Sequence, residues 1–440
     1  MSLLVDLLGP RQGFEGGLFL PDFKSATARR PIETMPADVP LNVPLQAAAS
    51  CKTRTLVSPG ERVLQGQWLS APADVNSLPV HSPVSGRIVE LSRAWTARDG
   101  YLSSAVIEPD GRAESVPQQV GWQGESFMGQ LANKGVFAAS SRKPAHVLLQ
   151  NAIASGATEL IINAMETEPY LTAELRLLVE QPGRMVDMAC ELADAMGVSR
   201  LILAIPYRHR RVVRRIMSEV QGRHVEVVPL SNSYPQCHPI ILVKTVLDRE
   251  VPPGGDVLDV GAAVLSPLTL HAAADAIFSD RPQTQVVMTI SGDAVEHAGT
   301  YRVPIGMPIR RLAERVGLLG PVEQMVWGGP LTGVSLTRDD AVVTIDTTAV
   351  LFFLKAEKAE PVPCIRCGWC VEDCPTGLDP SALVQLEAET SVPRHTLTHL
   401  KACIDCGLCS YVCPASLPLA ASISRSRSRF SRFQNSTVSP

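Results

Sequence analysis

Cysteines spaced for metal chemistry dominate the last quarter of the chain. They are Cys364, Cys367, Cys370 and Cys374, then Cys403, Cys406, Cys409 and Cys413, eight of the eleven in the sequence. Each run reads C-x2-C-x2-C-x3-C-P, closed by Pro375 and Pro414, a spacing that holds a cubane [4Fe-4S] cluster. Three thiolates so close in sequence converge on one cluster face only if the loop curls tightly, and Gly368 and Gly407 permit that. The fourth cysteine lies beyond its own loop's reach and ligates the neighbouring cluster. The spacing therefore assigns Cys364, Cys367, Cys370 and Cys413 to one centre, and Cys403, Cys406, Cys409 and Cys374 to the other. Such a pair of centres moves single electrons.

Zinc ribbons are the main alternative, but they use paired C-x-x-C knuckles, whereas two four-cysteine runs each ending in Cys-Pro fit the cluster pattern. A disulfide framework fits less well. The opening MSLLVDLLGP is interrupted by Asp6 and has neither a basic segment nor a small-residue cleavage site, so the expected compartment is the reducing cytoplasm. Cys51, Cys190 and Cys237 are scattered and read as buried, inert thiols.

The elements that position these cysteines are spread over 440 residues, too many for one ordinary core, so about three domains are expected. A net charge of −4 and a pI near 6.2 give no electrostatic footprint for nucleic acid. No apolar stretch approaches the roughly 20 residues of a membrane span, so membrane contact is expected to be peripheral only. Residues from about 40 to 110 are rich in Val, Pro and Gly with short alternating runs such as Arg87-Ile88-Val89-Glu90, which predicts a small all-β unit. Val57 to Gln67 and Val80 to Leu91 look like the halves of a barrel-sandwich hybrid. No lysine stands at the hairpin between them, so the unit is structural and not a modified carrier.

From about residue 130, apolar strands alternate with amphipathic helices. Ala157 to Ala164, Ser199 to Pro206 and His224 to Leu230 read as strands, and Val186 to Gly197 and Arg210 to Val220 as helices. That alternation implies a doubly wound parallel sheet, whose ligands bind at the carboxyl ends of strands, here the loops Asn163 to Tyr170 and Pro206 to Arg211. Gln285 to Gly317 reads as strand, turn, strand, helix, a β-grasp-like (SLBB-like) unit, followed by the glycine-rich Val326 to Gly333. Lys355 to Pro363 reads as a linker, and Pro380 to Glu389 as a helix between the cysteine runs. The last residues, with Arg425, Arg427, Arg429 and Arg432 and no acid, read as a disordered basic tail.

These elements in this order resemble the RnfC family, the peripheral subunit of the Rnf ion-pumping electron-transport complex, and the related cobalamin reductase of propanediol microcompartments. The resemblance covers nearly the whole chain. It rests on GGLFLPDFK (Gly16 to Lys24), the sandwich strands, NAMETEPYLTAE (Asn163 to Glu174), REVPPGGDVLDVG (Arg249 to Gly261), GGPLTG (Gly328 to Gly333) and the two cysteine runs.

What the resemblance implies is an α/β multidomain chain. Its parts are an N-terminal region with a barrel-sandwich hybrid (1–125), a Rossmann-like FMN/NADH-type domain (126–280), a β-grasp (SLBB-like) domain (281–355), an α-helical dicluster ferredoxin-like domain (356–420) and the tail (421–440). It also implies FMN in the loop region with NADH as substrate beside it. Asn163, Glu166, Glu168 and Tyr170 match the family motif, with Ala164 at its glycine. Two departures stand out. The family's glycine-rich loop is here Asn133 to Leu149, with Gly135 as its only glycine, and arginines follow Pro206 where the family has acids. The implied function is electron transfer through two [4Fe-4S] clusters to other subunits of an electron-transport complex or a soluble redox protein, peripheral at the inner membrane. The alternative is a docking or scaffold subunit whose nucleotide domain has lost its cofactors.

Overall fold

A computed structural model describes residues 13–117, 126–356, 360–389 and 391–436. The opening MSLLVDLLGP, part of the expected linker (357–359) and the last four residues lie outside them.

The sandwich forms around a long antiparallel hairpin, Gly86–Thr96 with Gly100–Pro109, flanked by Leu41–Pro44 and Arg62–Val63. A three-stranded sheet of Thr53–Thr55, Trp68–Pro72 and Val80–His81 completes it. Ile88 and Ala94 point inward while Arg87 and Val89 point out, the alternation of a sheet with one wet face, and a bulge between Ile88 and Glu90 shifts the register.

The expected parallel sheet is present, in the order Val225–Leu230, Arg200–Pro206, Glu159–Asn163, Ala262–Leu265. The central strand is apolar without alternation because both its faces are covered. Leu160 and Ile162 pack into one cluster with residues of the helices Ala145–Ala154, Pro182–Met196 and Pro267–Ser279, while Ile161 packs into another with residues of the helix Pro239–Leu247. The helix Pro182–Met196 begins at a proline and stops at Gly197, whose φ of 66° no β-carbon obstructs.

Residues 281–355 form a mixed sheet, Gly299–Pro304, Gln285–Ser291, Ala349–Phe353, Gln324–Trp327 and Val334–Leu336, with the helix Ile309–Val316. Its outer edge is taken by Ile32–Thr34, paired parallel to Gly299–Pro304, so the N-terminal region reaches well beyond the sandwich. Core residues of the sandwich (Leu41, Ile88, Ile107) and of this sheet (Met288, Val303, Phe352) belong to one apolar cluster.

Between the cysteine runs the expected helix appears as Pro380–Leu383 and a tighter turn Val384–Ala388, followed by an additional helix, Arg394–Ala402. The expectation of a disordered tail at 421–440 is corrected over the described part: Leu419–Ser436 is one α-helix. Its seam is Leu419, the adjacent pair Ser422 and Ile423, Ser426 and Phe430, all buried and recurring at each turn of the helix. Small serines alternate with arginines here and disguise that period. The arginines are engaged too: Arg425 bonds Glu387, Arg427 donates to the Cys403 carbonyl at 2.6 Å, and Arg429 donates to the Glu387 carbonyl at 3.1 Å.

Candidate functional site

The two cysteine loops repeat each other residue for residue. Arg366 and Asp405 have φ of 58° and 53°, and Gly368 and Gly407 follow at 85° and 80°. A single helical turn then begins in each, Trp369–Glu372 and Leu408–Tyr411. The Gly368 carbonyl accepts from Val371 and Glu372, and the Gly407 carbonyl from Ser410 and Tyr411. Each loop thus turns back on itself through the stretch that carries its first three cysteines.

Cys364, Cys367, Cys370 and Cys413 line a cavity of about 470 Å3. In the other set, Cys374 and Cys403 pack against the cluster of Leu378, Leu383, Leu400, Ile423 and Phe430. Burial, joined by the charges of Cys374 and Cys403, pushes the Cys406 and Cys409 thiols up to about 12, so the four lie together. The Leu378 amide donates to Cys374 Sγ at 3.3 Å. Among the described residues, no three His, Cys, Asp or Glu side chains converge tightly enough for a single ion. Four thiols lining a hollow of this size suit a polynuclear cluster, and the eight cysteines supply the two sets of four that two cubanes need. Cys364 and Cys367 are exposed, beside exposed Ile365 and Trp369, whereas the Cys374–Cys403–Cys406–Cys409 set is half-buried.

The second cysteine loop abuts the rest of the protein. The Tyr234 hydroxyl donates to the Cys406 carbonyl at 2.6 Å. A β-carbon on Gly407 would lie 2.6 Å from the Leu331 carbonyl oxygen, so the glycine also permits this close approach. From the N-terminal segment, the Gly17 amide donates to the Asp373 carbonyl at 3.0 Å, and Leu18 pairs with Tyr234 as a short bridge. Sequence reading marked the GGLFLPDFK and GGPLTG segments by family likeness but missed that both face the clusters, and it missed Tyr234 altogether.

Asn163, Glu166, Glu168 and Tyr170 lie on the loop leaving the central strand at its carboxyl end, and the protein engages all four. Asn163 Nδ2 donates to the Cys237 carbonyl at 2.7 Å, and its Oδ1 accepts from Met165. The Glu166 carboxylate accepts from the Glu174 and Leu175 amides at the start of the helix Ala173–Glu180, at 3.2 and 3.1 Å. Glu168 accepts from the Leu331 and Thr332 amides and from the Thr332 hydroxyl, at 2.8, 2.9 and 2.8 Å. Tyr170 stacks on Phe23 at 5.0 Å and meets the Phe353 edge at 5.5 Å.

Beneath this loop Lys24, buried, donates to the Glu166 carbonyl. Burial lowers the Lys24 ammonium and raises the Glu166 carboxyl, while Glu174 is raised by burial and then by the Glu166 charge. Asn163, Glu166 and Glu168 are thus each met by donors or acceptors of the protein itself, while the Thr167 hydroxyl between the two carboxylates is buried without a partner.

The glycine-poor stretch is equally occupied. Ala138 is fully buried, and Arg142 is clamped by Asp99 at 2.6 Å and Asp346 at 2.9 Å. After Pro206, Arg208 lies over the Phe19 ring at 5.1 Å.

Comparison with known proteins places each part. Residues 12–112 match the RnfC barrel sandwich hybrid domain, 139–275 the Nuo51 FMN-binding domain, and 360–417 a 4Fe-4S dicluster domain. Two [4Fe-4S] clusters and FMN are the cofactors these domains carry. The chain is 28% identical over 383 residues to a subunit of the proton-translocating ferredoxin:NAD(+) oxidoreductase complex of Clostridium ljungdahlii, covering 84% of each. It is 29% identical over 386 residues to a subunit of the ion-translocating oxidoreductase complex of Salmonella choleraesuis, covering 84% of this chain but 54% of that one. The chain thus spans about half the length of the Salmonella relatives. An NAD+-reducing [NiFe]-hydrogenase chain superposes over 68% of this chain and 59% of its own at 18% identity and a TM-score of 0.48, too loosely to transfer any role. No helix of the described residues is long and apolar enough to cross a membrane. With its RnfC-type sandwich, Nuo51-type domain and dicluster domain in that order, the chain is similar over most of its length to the RnfC family.

Proposed function

We propose that this protein is the electron-transfer subunit of an ion-translocating oxidoreductase, located in the cytoplasm and peripheral at the inner membrane. The observation that carries the reading is the pair of four-cysteine sets, one lining a cavity and one packed beneath the helix Leu419–Ser436. Cys364, Cys367, Cys370 and Cys413 hold one cluster, and Cys403, Cys406, Cys409 and Cys374 the other. Each cluster, when bound, takes up and releases one electron at a time. The chain's own work is to hold the two close, keep water from the buried one, and tune both through N–H groups such as that of Leu378.

The order of transfer follows from placement. The Cys403–Cys406–Cys409–Cys374 set faces the nucleotide-type domain through Tyr234 and the 281–355 unit through Leu331, and the set with Cys364 and Cys367 faces outward with Ile365 and Trp369. We read residues 281–355 as an SLBB-type β-grasp unit that fastens this arrangement. FMN bound at the carboxyl end of the parallel sheet would supply the conversion of a hydride's electron pair into two single electrons. Asn163, Glu166, Glu168 and Tyr170 border that place and fix its loop.

The docking-subunit alternative is favoured by one observation: those four residues and Arg142 already have protein partners. Anaerobic reconstitution tests both readings. Close to eight irons per chain, as two cubanes require, supports electron transfer, and one zinc per run overturns it. Retained flavin fluorescence after mild release supports FMN-dependent entry, and its absence leaves cluster transfer with a docking role for the nucleotide-type domain.

A further inference from the structure

A cavity of about 860 Å3 opens where the sandwich, the parallel-sheet domain and the 281–355 unit meet, and none of Asn163, Glu166, Glu168 or Tyr170 lines it. Among the described residues its charged lining is four cations, Lys134, Arg184, Arg281 and Arg302, against two carboxylates, Asp275 and Asp280, a surplus of two positive charges. Lys134 pairs with Asp280 at 2.6 Å. That leaves three guanidiniums around Asp275, with Arg184 at 2.8 Å, Arg281 at 3.6 Å and Arg302 at 4.0 Å. One carboxylate cannot neutralise three arginines.

The same wall holds His271, which is 7% exposed. A guanidinium has no acceptor and stays protonated, so the 2.7 Å contact from Arg302 makes Nε2 of His271 the acceptor. The neutral ring then carries its proton on Nδ1, and that buried group has no partner. Burial holds the ring's pKa down to about 4, in keeping with a neutral imidazole. The excess of guanidinium groups on this wall calls for an anion.

We propose that this junction binds a small phosphate ester. A phosphate group brings close to two negative charges and three acceptor oxygens, which matches the surplus, whereas one carboxylate would leave a positive charge uncompensated. The hollow is larger than an inorganic ion needs, within the range of small-molecule sites, and Phe137, Leu268 and Ile345 give the organic part an apolar wall. A ligand gripped by all three units would fix their relative positions. The site excludes Asn163, Glu166, Glu168 and Tyr170 but takes Lys134, Phe137 and Ala139 from the stretch that stands where the family has its glycine-rich loop.

The test is calorimetric titration of the full, cluster-loaded protein with ribose 5-phosphate, with malate as a carboxylate control. Saturable one-to-one binding of ribose 5-phosphate, weakened roughly tenfold by Arg281→Gln and unchanged by Arg208→Gln, is the expected result. Arg281 is 60% exposed at its side chain, so its loss leaves the fold intact. Absence of saturable binding, equal affinity for malate, or a loss caused by Arg208→Gln and not by Arg281→Gln would each overturn the proposal.

Discussion

The hydroxyl of Tyr234 donates to the carbonyl of Cys406 at 2.6 Å, joining a buried side chain of the nucleotide-type domain to the loop of the second cysteine run. Tyr234→Phe keeps the ring and leaves that carbonyl without its donor. The expected cost is about 1–3 kcal/mol of stability, read by chemical denaturation. In electron paramagnetic resonance, the cluster on Cys403, Cys406, Cys409 and Cys374 should change and its neighbour should not. Identical spectra for both clusters would rule out this coupling.

Glu168 should matter for stability as much as for redox chemistry. Glu168→Ala removes three hydrogen bonds that hold the Gly328–Gly333 turn, with an expected loss of roughly 3 kcal/mol. Gly329→Ala attacks the same contact from the other side, because its β-carbon would fall 2.1 Å from the Glu168 carboxyl carbon. The two variants should therefore share a phenotype, a lowered melting temperature with cluster content preserved. A Gly329→Ala protein as stable as the parent would refute the packing argument.

Ligand exchange between the cysteine runs is directly testable. Cys374→Ala should disturb the cluster whose other ligands are Cys403, Cys406 and Cys409, and Cys413→Ala the one on Cys364, Cys367 and Cys370. Iron content and redox titration of each variant decide the matter. If each substitution instead removed the cluster of its own run, the pairing would be wrong.

Acid sensitivity has an identifiable contributor at His238, whose Nδ1 accepts from the Ile240 amide at 3.3 Å and caps the helix Pro239–Leu247. Burial lowers this histidine from 6.5 to about 4. The unfolded chain takes up its proton first as pH falls, so this contribution is complete above 6.5 and is lost on descent toward 4. Between pH 7.5 and 5.5 the loss should be about 1–1.5 kcal/mol. His238→Asn keeps an acceptor that does not titrate, and its denaturation midpoint should change less over that interval. An unchanged slope would assign the sensitivity elsewhere.

The parallel sheet was legible in the sequence because buried strands such as Glu159–Asn163 are apolar without alternation and the intervening helices have clear stops. The helix Leu419–Ser436 was not, because Ser422 and Ser426 occupy buried seam positions that in most helices hold large apolar residues. The cofactor loop shows a different limit. Glu168 reads in the sequence as a cofactor-loop carboxylate, and nothing local announces the amides 163 and 164 positions away that donate to it. Local patterns reveal which residues are polar and clustered, but the distant amides that meet them are set by tertiary packing alone. The cysteine runs escaped that limit because their spacing is itself the geometry.

The N-terminal segment has a consequence for biogenesis. Residues 17 to 34 touch Tyr234, the strand Gly299–Pro304 and Asp373, so a stretch synthesised early finds its partners only when most of the chain has left the ribosome. Contacts of such long sequence separation form late and slowly. Until then the Gly16–Gly17 strap is absent from the carbonyls of Asp373 and Cys374, and iron delivery has an open approach to that side of the cysteine loops. Maturation of the metal centres and closure of the N-terminus are thus timed against each other by topology.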